Sequence, residues 1–400
     1  MDILISGASI AGPALAHWLN HYGFSTTIVE RTPHLRGGGY AVDFRGDVHL
    51  GVLAQMGILD EIRRRQTSAI DLTYIDADGN DLATMPSCVF SGDVEILRGD
   101  LAQVLYEATR SGTEYLFGDS IKSISQGTDG VDVTFDSGLT RRFDLVIGAD
   151  GLHSNVRRLA FGDERQFVKD LGLYVSIFSV PTAGRTGVLY SVPGKTASLY
   201  AAGPDADPIA ALFFTAPEAT FDYRDVEAQK ALVASTFTGA GWQCDALVEA
   251  MYDADDFYFD STNQVIMDRW STGRVALIGD AGYGAGPGGN GTGTAVVAAY
   301  VLASELAGAN GDYATAFGNY ERVLRGYVAG GQKQASGGND FLAPVTWKKI
   351  KQRNRFFNML RYLPIKGLIK HMATKTATAI ALPDYTATVS ATRQGTAIRG

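Results

Sequence analysis

The feature that most restricts how this chain can fold is the hexapeptide Gly7-Ala8-Ser9-Ile10-Ala11-Gly12, together with what flanks it. Ile3 to Ser6 is a short apolar run, Pro13 to Tyr22 has helical spacing, Gly23 interrupts it, and Thr27 to Glu30 is a second apolar run. Strand, glycine turn, helix and strand in that order predict a βαβ unit. In such a unit the first glycine permits the tight turn, the second lets a pyrophosphate approach the backbone, and the third lets helix and strand pack closely. Ser9 stands at the second place here, and its backbone N–H can still face a phosphate at the helix N-terminus. Glu30 ends the second strand, where an acid receives the hydroxyls of an adenosine ribose. The expected dinucleotide site therefore comprises Gly7, Ser9, Ile10, Ala11, Gly12 and Glu30, with Arg31 beside it.

Two rival readings fail on context. Gly7 to Ala11 resembles the Gly-x-Ser-x-Gly turn that exposes a hydrolase serine, but that turn follows several strands of its sheet, and this one follows the first. Tyr362 and Lys366 have the spacing of a short-chain dehydrogenase pair, yet Pro364 interrupts them within a basic tail.

Beyond the first unit, the segments Val48 to Arg65 and Gly99 to Thr109 have helical period. Ile121 to Ser125, Val131 to Phe135 and Phe143 to Ala149 suggest a small meander leading into a buried strand. From Leu173 to Thr215 aromatic and β-branched runs alternate with Pro193-Gly194 and Gly203-Pro204, which predicts a mostly antiparallel sheet inserted into the cofactor domain. A helix follows from Asp225 to Phe237, then a strand ending at Asp280, a glycine-rich loop, and a helix from about Thr294 to Leu306. Phe341 to Pro383 contains no acidic residue, while Lys348, Lys349, Lys351, Arg353, Arg355, Arg361, Lys366 and Lys370 lie among Phe, Leu and Ile. That pattern predicts a basic amphipathic helical region, packed across the fold or presented to anionic lipid or a partner.

The expected architecture is α/β. A Rossmann-type cofactor domain is formed by 1–72, 96–165 and 266–335, a substrate domain by 73–95 and 166–265, a helical region by 336–385, and a flexible tail by 386–400. Net charge of −8 over 400 residues gives no general attraction to nucleic acid. Cys88 and Cys244 are far apart and belong to no Cys/His cluster, so neither a disulfide framework nor a zinc site is expected, which suits a reducing cytoplasm. The N-terminus carries no basic leader and its apolar stretch is broken by Gly7, Gly12 and Pro13, so neither a signal peptide nor a transmembrane segment is expected.

Two further motifs complete the pattern. Asp144-Leu-Val-Ile-Gly-Ala-Asp150-Gly151-Leu-His-Ser154-Asn-Val-Arg157 and Gly273-Arg-Val-Ala-Leu-Ile-Gly279-Asp280-Ala281 are apolar strands that deliver an acid and a glycine at their C-terminal ends, where ligands gather in an open α/β sheet. With these three motifs in this order, the chain from Ile3 to about Leu306 resembles the class A flavoprotein monooxygenases, the para-hydroxybenzoate hydroxylase family. Within it, the chain is similar to the tetracycline-inactivating and polyketide-tailoring branch. The resemblance implies non-covalent FAD, with NAD(P)H as a transient electron donor served by the Asp150-Gly151 motif. It implies that Asp280 binds the ribityl chain and Arg98 contacts FAD, and that Asp43 comes near the flavin ring. Where the family usually has Gly-Asp-Ala-Ala-His, Pro-Pro and Gly-Gln-Gly, this chain has Gly279-Asp280-Ala281-Gly282-Tyr283, Gly286-Pro287 and Gly289-Asn290-Gly291-Thr292. The glycine-rich helix entrance at Gly289, Asn290, Gly291 and Thr292 is kept, and a helix N-terminus there suits the negative charge of reduced flavin.

The implied reaction is hydroxylation of an aromatic or polyketide-like molecule through a flavin C4a-hydroperoxide, with the cofactor supplying the difficult chemistry. No catalytic side chain is singled out. Tyr190, Tyr200 and Phe213 are candidate substrate-wall residues because each lies in an aromatic-rich strand of the inserted sheet. The alternatives are a non-oxygenating FAD dehydrogenase or reductase, and a flavin-holding binding protein of degenerate activity. No Trp-x-Trp-x-Ile-Pro motif of the related halogenases is present. The oligomeric expectation is a monomer or a homodimer.

Overall fold

The computed structural model describes residues 1–35, 37, 40–68, 70–181, 184–201, 203, 207–216, 225–336, 339–360 and 374–385. The expected tail 386–400 and the Tyr362–Lys366 pair lie outside the described residues.

Two large sheets organise the chain into a mixed α/β fold. The first has six strands in the order Ser271–Thr272, Val275–Leu277, Leu145–Gly148, Asp2–Ser6, Ser25–Glu30, Thr113–Phe117. All its pairings are parallel except that between the first two strands. Its central strands Asp2–Ser6 and Leu145–Gly148 are almost wholly buried, as strands covered on both faces must be, and so they appear as unbroken apolar runs. Helix Ala11–His21 packs against the 18-residue helix Gly291–Gly308, with the Trp18 and Tyr300 rings 4.7 Å apart and Tyr22 Oη 2.9 Å from Ser304 Oγ. Gly291–Gly308 is apolar around most of its circumference and is buried accordingly.

The second sheet has seven strands in the order Tyr258–Val265, Val168–Ser179, Pro208–Phe214, Lys195–Ala201, Val188–Val192, Leu72–Ile75, Asp81–Met85. Every pairing is antiparallel except Val188–Val192 with Leu72–Ile75. One face is covered by helices Val226–Phe237 and Cys244–Asp253, which enclose Ala197, Leu199, Leu212 and Phe214. The meander Ile121–Gln126, Val131–Phe135, Thr140–Phe143 leads into Leu145–Gly148.

The helical stretch expected over Val48 to Arg65 is broken in two, Gly46–Gln55 and Leu59–Arg64. Gly57, at φ +72, turns the chain between them, so the apolar period continues in sequence while the axis does not. The short strands Ala41–Phe44, Leu72–Ile75, Asp81–Met85, Val94–Leu97 and Thr113–Phe117 and helix Cys244–Asp253 were not anticipated, nor was strand Tyr258–Val265. The strand's Asp-Ser-Thr-Asn-Gln stretch lacks the apolar alternation of a sheet strand, and pairing with Val168–Ser179 places it. In the C-terminal region, helices Asn339–Leu342 and Trp347–Leu360 are formed. Among the described residues no helix is long and apolar enough to cross a membrane.

Candidate active site

Strand Asp2–Ser6 delivers the chain to Gly7, whose N–H donates to Val29 O at 2.8 Å with φ at +109. A Cβ at Gly7 would lie 2.5 Å from Ala149 O, and one at Gly12 would lie 2.0 Å from Gly7 O. Both glycines are therefore demanded by backbone approach, and the turn hugs the end of the neighbouring strand. Ile10, at the N-cap of Ala11–His21, offers no side-chain acceptor, so the first N–H groups of that helix remain available to an anion. Ala11 is buried, and a Cβ at Gly279 would sit 3.2 Å from its methyl, which brings the first and third motifs together.

Glu30 Oε2 accepts from Ala8 N at 2.9 Å, and Oε1 accepts from Thr32 N at 3.0 Å. The carboxylate is thus fixed at the edge of the glycine turn, while Arg31 beside it is exposed. Glu30→Ala is expected to weaken dinucleotide affinity by about 1.5 to 3 kcal/mol through lost charge-assisted hydrogen bonds. Titration of the apoprotein with FAD measures this, and an unchanged affinity would exclude Glu30 from the ribose role.

Arg98 opens helix Arg98–Thr109 and reaches back across the turn. Its Nη2 donates to Ser9 Oγ and its Nη1 to Tyr40 Oη, each at 3.3 Å. Asp280 and Tyr258 add to the charge and polarity around it. Asp280 directly follows Gly279, which adopts φ +65. Its side chain is open to the cleft and finds no hydrogen-bond donor among the described residues. Even so, the surrounding protein pushes its carboxyl above the usual range, with Arg98 opposing the rise and Asp260 adding to it. Asn290 caps Gly291–Gly308 in the left-handed conformation, φ +57, and its buried Nδ2 has no partner among the described residues. Gly289 is held tightly, since a Cβ there would meet Ala285 Cβ at 2.6 Å, whereas Pro287 is exposed and Thr292 half-buried. Tyr283, which replaces the family's usual histidine, points into the core. Its hydroxyl lies 2.8 Å from Tyr320 Oη, and Tyr320 in turn donates to Leu277 O. The departure is absorbed by packing on the far side of the loop.

Asp150 faces its own turn. Oδ2 accepts from Val156 N at 3.0 Å and from Ser6 Oγ at 3.3 Å, Oδ1 accepts from Ser154 Oγ, and burial pushes the carboxyl up. Arg157 is wholly buried and donates to Ala281 O at 2.9 Å, fastening the second motif to the third. Next to it His153 lies between two carboxylates, with Nδ1 2.9 Å from Glu164 Oε1 and Nε2 3.5 Å from Asp260 Oδ1. Burial alone would lower its pKa, but Asp260 and Glu164 outweigh burial and raise it to about 9. The folded state therefore binds this proton more tightly than the unfolded chain. The stabilisation is complete below about pH 6.5 and is lost as pH rises through about 9. His153→Gln is expected to lower the thermal midpoint by about 2 °C at pH 6, with the gap to wild type closing above pH 9. A gap that is constant with pH would show that the charge is irrelevant.

Asp43 is ion-paired with Arg45 Nε, and burial pushes its carboxyl up against that partner's opposing pull. Arg45 Nη2 also donates to Phe90 O at 2.9 Å. His49, fully buried, accepts from Arg45 N at Nδ1, which leaves Nε2 to donate to Tyr327 Oη at 2.6 Å. Burial holds its pKa near 4, so the ring is neutral at physiological pH. That ring lies against Gly293 in the first turn of Gly291–Gly308, where a Cβ would come within 2.1 Å of it. Arg45, His49, Tyr40, Tyr258, Asp260 and His153 were not anticipated as site residues. Tyr40 and Arg45 bracket Asp43 in Tyr-Ala-Val-Asp-Phe-Arg and His153 lies inside the Asp150 motif, while nothing in the sequence marks His49, Tyr258 and Asp260, which tertiary packing and strand pairing bring in.

The three candidate wall residues divide between the two faces of the sheet. Phe213 pairs with Val175, and Val175 with Asp260, so Phe213 shares the face on which Tyr258 and Asp260 reach Arg98 and His153. Tyr200, two residues on from Ser198 in that face's row, lies near Glu95, the register partner of Asp43. Tyr190 is on the opposite face. It pairs with Ala197, its hydroxyl donates to Ala240 O at 2.9 Å, and its ring lies 6.0 Å from Trp242 under the covering helices. Strand alternation turns Tyr190 away from the face that carries Phe213, and its aromatic neighbours in sequence gave no indication of which way it points.

Residues 1–316 match the family model described as an FAD binding domain. The chain belongs to the class A flavoprotein monooxygenases. It is 39% identical over 396 residues to a flavin-dependent monooxygenase of an unknown prokaryotic organism, covering 96% of this chain and 98% of that one. It is 44% identical over 360 residues to an uncharacterized protein of Mycobacterium tuberculosis, covering 88% of this chain and 96% of that one. The crystal structure of tetracycline destructase Tet(51) superposes with a TM-score of 0.83 at 37% identity, covering 96% of this chain and 98% of that chain. Klebsiella pneumoniae HpxO complexed with FAD and uric acid shares the fold, with a TM-score of 0.72 at 20% identity and coverage of 96% and 98%. The cofactor of this monooxygenase is FAD, and its residues fit that group. A glycine cradle stands where a Cβ at Gly7 or Gly12 would collide, an uncapped helix start faces it, and among the described residues neither the buried Nδ2 of Asn290 nor the carboxylate of Asp280 has a hydrogen-bond partner.

Proposed function

We propose that this monooxygenase hydroxylates an aromatic or polyketide-like small molecule in the cytoplasm, with NADH or NADPH as electron donor. The observation that carries the reading is that the seven-stranded sheet turns Phe213 and Tyr200 to the same side as Tyr258 and Asp260, which meet Arg98 and His153. A flat substrate between that face and the flavin cleft would be walled by aromatic and aliphatic side chains. The likeness to a tetracycline destructase at 37% identity supports a multi-ring substrate. In this reading 1–72, 96–165 and 266–335 hold the cofactor, and 73–95 with 166–265 hold the substrate.

Bound FAD supplies redox chemistry and the activation of dioxygen. The protein's own residues bind and orient. Gly7, Ser9, Ile10, Ala11 and Gly12 receive the pyrophosphate, Glu30 receives the ribose, and Arg98 and Asp280 receive the inner part of the cofactor. The N-terminus of Gly291–Gly308, with Gly289, Asn290, Gly291 and Thr292, places partial positive charge and free N–H groups where negative charge collects. Asp43, fixed by Arg45, borders the ring. The sheet excludes water from the reacting face.

A substrate screen scored by accelerated NAD(P)H oxidation, followed by tracing oxygen-18 from dioxygen into the product, tests the proposal. Accelerated oxidation with no label in any product would overturn it. Phe213→Ala is expected to raise KM roughly tenfold with FAD content unchanged, while Tyr190→Phe is expected to leave KM alone. Equal effects at the two positions would remove the assignment of the substrate to that face.

A further inference from the structure

Helix Trp347–Leu360 divides sharply between an inward and an outward side. Inward, Ile350, Arg353, Phe357 and Leu360 are buried against the edge of the seven-stranded sheet. Arg353 is anchored there: it donates to Phe341 O at 3.0 Å and Ser191 Oγ at 2.9 Å, and its guanidinium lies 3.8 Å from the centre of the Tyr74 ring. Tyr74 stacks on Phe357 at 5.8 Å, and Asn358 Nδ2 donates to Leu82 O at 2.9 Å. The helix is therefore fixed in orientation, and its outer side is presented rigidly.

That outer side is unusual for a folded surface. Trp347, Phe356 and Met359 are 56%, 50% and 57% exposed. Val345, just before the helix, and Leu82, on the adjoining edge strand, are exposed as well. Lys348, Lys351 and Arg355 are exposed between them, with half-buried Lys349 at the margin. At about 100° per residue, Trp347 and Phe356 stand on opposite flanks of the outer side, and the cations run between them. No acid occurs from Phe341 to Pro383, although the chain as a whole carries a net charge of −8, so the patch reverses the sign of the protein around it.

We infer that this face docks the protein on an anionic lipid surface. Aromatic rings flanking a cationic strip suit a helix lying in the plane of a bilayer interface, with rings at headgroup depth and ammonium and guanidinium groups on lipid phosphates. A nucleic acid duplex would satisfy the cations but offers no apolar layer for Trp347, Phe356 and Met359.

Co-sedimentation of the full-length, FAD-loaded protein tests this, with vesicles of phosphatidylcholine alone and vesicles of equal parts phosphatidylglycerol and phosphatidylcholine. Binding is expected only to the anionic vesicles and should be reversed by salt. The triple variant Lys348→Glu, Lys351→Glu, Arg355→Glu is expected to bind them at least a hundredfold more weakly, from roughly fivefold per cation removed. Its FAD content and thermal midpoint should match wild type. Trp347→Ser with Phe356→Ser should weaken binding while leaving its salt dependence. Absence of wild-type binding to anionic vesicles, equal binding to both vesicle types, or equally tight binding to a DNA duplex would overturn the inference.

Discussion

Gly12→Ala is expected to purify colourless and to unfold at a markedly lower temperature than wild type. The added methyl would stand 2.0 Å from Gly7 O. This is a backbone atom with little room to retreat, because Gly7 N is bonded to Val29 O and Gly7 itself is pressed against Ala149 O. Relief requires the helix Ala11–His21 to move off the strand, away from Trp18 and Tyr22 contacts with Gly291–Gly308. The expected cost is about 4 kcal/mol or more, in the range reserved for backbone conflict and core disruption. Because the same movement dissolves the phosphate cradle, FAD affinity should fall roughly a hundredfold or more. Flavin absorbance per polypeptide and a thermal melt of the apoprotein measure the two effects. A yellow, stable Gly12→Ala protein would show that the turn has a different shape.

Asp280→Asn should separate cofactor binding from stability. In the wild-type apoprotein the carboxylate has no donor among the described residues, and its pKa is raised chiefly because the walls of the cleft displace part of its water, with Asp260 adding a like charge and Arg98 opposing the rise. A carboxyl raised on folding contributes stability below its ordinary value of 3.8, and that contribution is lost as pH rises through the folded value. At neutral pH the charge therefore works against the apoprotein. The amide is expected to leave the apoprotein as stable as wild type or more so, with the difference growing as pH rises above 4. FAD should bind about ten- to a hundredfold more weakly, corresponding to roughly 1.5 to 3 kcal/mol for a charge-assisted hydrogen bond. An acid that only capped the turn Asp280–Tyr283 would give the opposite pair of results: a loss of about 0.5 to 2 kcal/mol of apoprotein stability and unaltered FAD affinity. Parallel melts and flavin titrations decide between them.

By itself the sequence determined those parts of this protein whose chemistry is local. Gly7, Gly12 and Glu30 lie within one βαβ unit, and steric demand on glycine together with an acid at a strand end is written in adjacent residues. The first βαβ unit, the helix Arg98–Thr109, the meander and the strands between Leu173 and Thr215 follow the period of their own apolar positions and were legible, whereas the short strands Ala41–Phe44, Leu72–Ile75, Asp81–Met85, Val94–Leu97 and Thr113–Phe117 were not. Tertiary structure decided what depends on pairing across long separations. Gly57 bent an apparently continuous helix, and the polar strand Tyr258–Val265 became a strand because Val168–Ser179 supplied its ladder. Register then brought Tyr258 and Asp260 to Arg98 and His153, and sent Tyr190 to the face opposite Phe213. An alternating strand has two sides that composition cannot tell apart when both are apolar. Only the layers packed above and below assign one side to the core and the other to the cleft.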